Sequence, residues 1–143
     1  MREVVKYTSS KLSENRPTHL LGIGEPNDIW NCVKYGIDTF DCVSPTRLAR
    51  HGSALIKSKS GKINLKNKQH KDNLDPIDVN CKCKTCQNYS QSYLHHLIKS
   101  DELVFLQLIS IHNIFFMNEL MKYIRNAINN DNLEVAESNW YLN

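Results

Sequence analysis

Three cysteines, Cys81, Cys83 and Cys86, lie within six residues of one another. No feature of the chain constrains its fold more. Three thiols this close fit poorly into a disulfide framework and well around a metal ion. The total of five cysteines is odd, and the opening residues show no apolar signal segment. Both point to a reducing compartment, and the sequence predicts the cytoplasm. A soft trio of sulfurs suits zinc, which takes four tetrahedral ligands. His112, on the expected long helix beside an apolar face, is the leading candidate for the fourth. His95 and His96 are its rivals, and spacing alone does not choose among the three. Four protein ligands leave no open position, so the ion's expected role is structural.

Around that cluster the chain reads as an α/β protein. The run 18–24 is short, apolar and closed by glycines, which predicts a buried strand. Residues 25–36 follow as a helix, with Pro26 in the first turn, Asp28 near its positive end and Gly36 as the stop. Ile29, Trp30 and Val33 are expected to face inward. A second apolar run, 37–43, is a strand halted at Pro45. Strand, helix and strand at this spacing predict a βαβ unit with parallel strands. Beyond Pro45 the texture turns basic, and Gly61 between two alternating stretches predicts a hairpin. Residues 87–100 read as a helix with Tyr93, Leu94, Leu97 and Ile98 on one side. A long helix is expected from about 102 to 130, with Ile114, Met117, Met121, Ile124 and Ile128 as its inward stripe. The tail from 129 is polar and expected to be loosely held. The apolar runs, such as 114–116, are too short to predict a membrane span, which needs about 18 residues.

Two features carry chemistry besides the cysteines. Asp41 closes an apolar strand, and carboxylates at the C-terminal ends of parallel strands are where α/β enzymes place reacting groups. An Asx-type turn is the competing explanation. The glycines of 22–24 are weak evidence, because the third glycine of a dinucleotide loop is missing. The other feature is charge. Between Cys42 and Lys71 stand eight basic residues (Arg47, Arg50, Lys57, Lys59, Lys62, Lys66, Lys68 and Lys71) and no acid, against a net charge of +3 for the whole chain. Such a block is either a solvated loop or the footprint of a polyanion partner.

The segments RPTHLLGIGEPNDIW and GIDTFDCVSPTRLARHG, then INLKN, PIDVNCKCKTCQNYSQSYLHHL and IHNIFFMNELM, resemble the tRNA-guanine transglycosylase family in the same order along the chain. The resemblance covers roughly residues 16–128. It implies the C-terminal portion of a (β/α)8 barrel, carrying its last two strands, a zinc-binding insertion and a long C-terminal helix. The expected divisions are 1–16 as a linker or helix tail and 17–50 as the last βαβ of the barrel. Residues 51–86 would then be a basic hairpin and zinc segment, 87–130 a two-helix segment, and 131–143 a polar tail.

The activity implied is exchange of the wobble guanine of GUN-anticodon tRNAs for queuine or its precursor, a step of queuosine synthesis. Asp41 would be the nucleophile, forming a covalent ribosyl ester. Leu21 and Gly22 would meet the substrate base; many relatives have Met where Leu21 stands. Gly22, Ile23, Gly24, Glu25, Pro26, Asn27 and Asp28 would touch tRNA, as would Thr46, Arg47, Leu48, Ala49 and Arg50. The zinc ligands would be Cys81, Cys83, Cys86 and His112. The family's acid/base and base-recognition groups lie on earlier strands that this sequence does not contain. The chain therefore reads as a truncated or split product, or a fragment, expected to work as a homodimer or with a complementing N-terminal half. The alternative is a zinc-stabilised tRNA-binding or dimerisation module without catalysis.

Overall fold

The computed structural model describes residues 1–58 and 60–141. Lys59 and the last two residues of the tail lie outside them. The chain divides into two compact units, Met1–Ser44 and Pro45–Asn143.

In the first unit, β1 (His19–Leu20) and β2 (Thr39–Phe40) pair in parallel, with His19 opposite Thr39 and Leu20 opposite Phe40. Helix α2 (Pro26–Val33) makes the crossover that a parallel pair requires. It starts with proline at its first turn, where the missing N–H costs nothing. Ile29 and Trp30 are buried as expected, whereas Val33 is only half-buried. The inward role falls to Cys32, which packs with Val5 and Ile37. The strands are shorter than the apolar runs 18–24 and 37–43, because each finds one ladder partner among the described residues. The polar opening segment contains a helix, α1 (Arg2–Ser9), with Val5 on its buried side and Arg2 paired to Asp28 at 3.3 Å.

Helix α3 (Ser44–Arg50) leads into the second unit. There β3 (Ser53–Leu55) and β4 (Lys62–Asn64) form the expected antiparallel hairpin, with Ala54 opposite Ile63. A single 3₁₀ turn, Lys68–His70, precedes the cysteine segment. Three helices follow: α4 (Lys84–Asn88), α5 (Gln91–Lys99) and α6 (Val104–Asn129). Ser90 caps α5 by accepting the Tyr93 N–H at 3.2 Å. Ala54, Leu65, Leu94, Leu97, Ile98, Phe105, Leu108 and Ile109 form the core of this unit.

The inward face of α6 differs from the stripe read in the sequence. Phe105, Leu108, Ile109, His112, Asn113, Phe116, Leu120, Ile124 and Ala127 are buried. Of the predicted stripe only Ile124 is buried, while Ile114 and Ile128 are each 47% exposed. The helix is apolar on more than one side, so periodicity alone admitted two registers, and two polar residues mark the true one. The tail differs as well. It forms α7 (Leu133–Trp140), and Trp140 packs edge-on against Phe116 at 5.6 Å. A large aromatic side chain at 140 outweighs the polar composition around it.

Asn113 ties α6 to β3. Its Oδ1 accepts the Leu55 N–H at 2.8 Å, and its Nδ2 donates to Pro45 O at 2.9 Å and Ser53 O at 3.1 Å. Asn113, Ser53 and Leu55 are buried and Pro45 is half-buried, so truncation leaves a buried unpaired N–H and two under-satisfied carbonyls. Asn113→Ala should lower the stability of this unit by about 2–4 kcal/mol in urea unfolding. A loss under about 0.5 kcal/mol, the level of an ordinary surface substitution, would show that these bonds are replaced by water.

Candidate functional site

The cysteine turn is built so that three sulfurs converge on one ring nitrogen. Cys83 is the N-cap of α4, and its Sγ accepts the Cys86 N–H at 3.3 Å. Cys81, Cys83 and Cys86 place Sγ at 3.7, 3.5 and 3.3 Å from His112 Nδ1. The four candidate ligand atoms lie within 4.8 Å of one another. A tetrahedron with zinc-type bond lengths of about 2.0–2.3 Å has edges of about 3.5–3.8 Å, so the sulfur–nitrogen spacings match a metal shell. The supporting contacts match too. His112 Nε2 lies 2.8 Å from Leu55 O, which fixes the hydrogen on Nε2 and turns the bare Nδ1 toward the sulfurs. Thr85 donates to Leu108 O at 2.6 Å, holding α4 against α6.

The electrostatics of the ring of sulfurs suit a cation. Hydrogen bonds from Cys81 and then Cys86 pull the Cys83 thiol far below its ordinary range, while the contacts of Cys86 with Cys81 and then Cys83 push Cys86 up. Burial opposes charge on His112, yet the hydrogen bonds of Cys81 and Cys83 lift it to about 9. A metal binds thiolates and a bare ring nitrogen, so its binding displaces protons from this cluster. The rival histidines are otherwise engaged. His95 Nδ1 bonds Leu65 O at 2.7 Å in the core, and His96 is exposed. Among the described residues the donor set is thus Cys81, Cys83, Cys86 and His112, able to hold a metal ion.

Asp41 belongs to the first unit. It stands just past β2, with its side chain 62% exposed. The Gly22 N–H donates to its Oδ1 at 2.8 Å, and His19 Nε2 lies 3.4 Å from the same oxygen. The Gly22 bond is the main reason that the carboxyl sits below its usual range; slight desolvation works against it and His19 adds to it. Gly22 has φ of +71°, a conformation in which a side chain is strained. Gly24 is buried, and a Cβ there would overlap the Cβ of Cys42, the residue after Asp41. The two glycines thus fit the loop after β1 against the segment that carries the carboxylate. As a motif this pair carries little weight in the sequence; the resemblance put both glycines among the tRNA-contacting residues, and neither reading singled out His19. The only available signal was the pairing of the two apolar runs, which sets position 19 beside position 39.

The remaining candidates fall into two groups, one in each unit. Leu21 is 74% exposed and precedes Gly22, while Glu25 is the N-cap of α2 and Pro26, Asn27 and Asp28 form its first turn. Ile23 is half-buried between the two glycines. In the second unit α3 carries Thr46 to Arg50. Arg47 and Arg50 are exposed, Thr46 and Leu48 half-buried, and Ala49 packs into the core. Of the basic block, Lys62, Lys66, Lys68 and Lys71 are exposed as well. Lys57 is used internally, with its Nζ 4.5 Å from the Trp140 ring centroid. Lys59 lies outside the described residues.

A family model described as queuine tRNA-ribosyltransferase matches residues 1–143. Three curated proteins named "Queuine tRNA-ribosyltransferase" are similar to the chain. The protein of Roseiflexus sp. (strain RS-1) is 47% identical over 90% of this chain and 32% of its own length. That of Pediococcus pentosaceus is 43% identical over 99% of this chain and 37% of its own length. That of Streptococcus gordonii is 44% identical over 93% and 34%, respectively. The chain therefore spans about a third of the length of the curated relatives that it matches.

Proposed function

The chain belongs to the queuine tRNA-ribosyltransferase family, and from that premise we propose that it supplies the nucleophile and a zinc-held scaffold for guanine exchange in tRNA. The observation that carries the proposal is Asp41, a solvent-facing carboxylate whose Oδ1 is pinned by the Gly22 N–H at 2.8 Å. One oxygen of Asp41 attacks C1′ of the wobble nucleoside, and the C1′–N bond breaks. Guanine leaves with the electron pair and takes a proton from an acid outside this sequence. A ribosyl ester on Asp41 results. Queuine or its precursor, as a deprotonated ring nitrogen, then displaces the carboxylate and restores it. Such two-step displacement parallels retaining glycoside chemistry.

Leu21 and Gly22 border the reacting base in this proposal, and segment 22–28 with Thr46–Arg50 meets the tRNA. The βαβ pair is read as the last two strands of a (β/α)8 barrel, whose other catalytic groups come from polypeptide beyond this sequence or from a second chain. Zinc is the proposed ion at the Cys3His cluster, on the strength of its three soft sulfurs and their spacing. Four protein ligands give it a structural role. The setting is proposed to be cytoplasmic. Although α6 is long and apolar enough to cross a bilayer, its buried His112 and Asn113 are bonded to β3. That is the arrangement of a core helix. The test of the whole proposal is incorporation of labelled guanine into a GUN-anticodon tRNA by this chain joined to the rest of a family member's barrel. No incorporation by a folded assembly would overturn it.

Binding can be examined separately from chemistry. Six exposed basic side chains (Arg47, Arg50, Lys62, Lys66, Lys68 and Lys71) acting on phosphates should give a slope of log affinity against log salt of about −4 to −5. Lys66→Ala should weaken all RNAs alike and reduce that slope by about 1. Arg47→Ala or Arg50→Ala should also relax anticodon preference. Fluorescence anisotropy with labelled anticodon stem-loops reads all three effects. Salt-independent binding, or none at low salt, would contradict the assignment.

A further inference from the structure

An exposed aspartate has two equivalent oxygens and two freely turning torsions, so its usefulness as a nucleophile depends on what holds it. In the first unit two contacts from the β1 segment to Asp41 fall on the same atom. The Gly22 N–H lies 2.8 Å from Oδ1, and His19 Nε2 lies 3.4 Å from Oδ1; neither addresses Oδ2. His19 is itself fixed. Its Nδ1 lies 2.8 Å from Thr39 Oγ1, and the parallel register places His19 directly opposite Thr39. The ring is thus held from one strand by a hydroxyl on the other, and its far nitrogen faces the carboxylate that follows that second strand.

We propose that His19 is a positioning residue for Asp41: anchored by Thr39, it holds Oδ1 together with the Gly22 N–H and leaves Oδ2 as the oxygen that reacts. The proposal rests on Asp41 being the nucleophile. The Thr39 hydroxyl makes the arrangement independent of the charge on the ring. When the imidazole is neutral, Thr39 donates to Nδ1 and the ring hydrogen stays on Nε2, toward Oδ1. When the imidazole is protonated, Thr39 accepts from Nδ1 and Nε2 still carries its hydrogen. In either state the hydrogen-bearing Nε2 is the nitrogen on the Oδ1 side, 3.4 Å away, so it draws Oδ1 electrostatically and leaves Oδ2 to the ribose carbon. An exposed ion pair of this kind contributes little to stability. Its effect is on orientation, to which attack geometry is sensitive.

The test uses the 143-residue chain at low salt, with ¹³C-labelled aspartate and ¹⁵N-labelled histidine. In the unaltered protein, neutral His19 should show the tautomer with its hydrogen on Nε2. His19→Leu should raise the Asp41 carboxyl titration midpoint toward the ordinary range. His19→Gln, which can present an amide N–H at a similar reach, should keep it lower than His19→Leu does. Thr39→Val should abolish the tautomer preference while leaving the Gly22 amide resonance in place, a change that mere loosening of the fold would not produce. An Nδ1–H tautomer in the unaltered chain, or an Asp41 midpoint unmoved by His19→Leu, would overturn the proposal. These readouts do not depend on any bond to ribose. An intact His19 effect with no adduct on Asp41 would remove the nucleophile assignment alone, whereas an adduct on Asp41 with no His19 effect would remove the positioning role alone.

Discussion

Replacing Cys83 by Ser is expected to release the metal and unfold the second unit. Cys83 is buried at the centre of the cluster: it caps α4, accepts the Cys86 N–H and faces His112 Nδ1 at 3.5 Å. A serine oxygen is a harder and poorer zinc ligand, and it leaves two thiols and an imidazole gathered without a cation. Structural zinc contributes about 10–16 kcal/mol of apparent binding energy, against about 5–15 kcal/mol for the net stability of a domain. Losing the ion should therefore cost most or all of the unit's stability. Native mass spectrometry should find one zinc per chain before the change and none after it, and the α6 amides should lose protection from exchange. A strong chelator should do the same to the unaltered chain. A metal-free variant that stays folded would show that hydrophobic packing around Leu94 and Ile109 suffices.

The second large effect concerns exchange chemistry. The 143-residue chain alone is expected to show no detectable guanine exchange, although Asp41 is present and oriented. The proposed mechanism needs an acid for the departing guanine and groups to recognise the incoming base, and the resemblance assigns both to earlier barrel strands. Supplying those strands from a complementary barrel segment should restore exchange. In that assembly Asp41→Asn should reduce the rate by at least about 1000-fold, because an amide oxygen cannot form the ester. Strong exchange by the chain alone would mean that its own residues include the missing acid. Full exchange with Asn at position 41 would mean that another group attacks.

What the sequence made legible was local. Cys81, Cys83 and Cys86 declared a metal site because their spacing is short and their chemistry soft. His112 stands 26 to 31 residues further along, and spacing could not separate it from His95 and His96. The family resemblance pointed to His112, and the packing of α4 against α6 gives the physical reason. The long helix was plain from composition, but its inward face was not. Apolar side chains occupy more than one side, and the decisive residues, His112 and Asn113, are polar ones buried by specific bonds to β3. Trp140 shows the converse, a single ring closing a tail that reads as polar. Around Asp41 the strand end was visible, yet its partners were not. Gly22, Gly24 and His19 belong to a separate segment, and only the parallel pairing of β1 with β2 brings that segment beside the carboxylate.

The most direct measurement of the central claim is the location of a covalent adduct. The chain, combined with a complementary barrel segment, is incubated with a GUN-anticodon stem-loop in the absence of incoming base, quenched and digested for mass spectrometry. The account predicts a ribosyl mass on the peptide containing Asp41, lost on adding queuine or its precursor and absent in Asp41→Asn. An adduct on any other residue, or one that persists in Asp41→Asn, would contradict it.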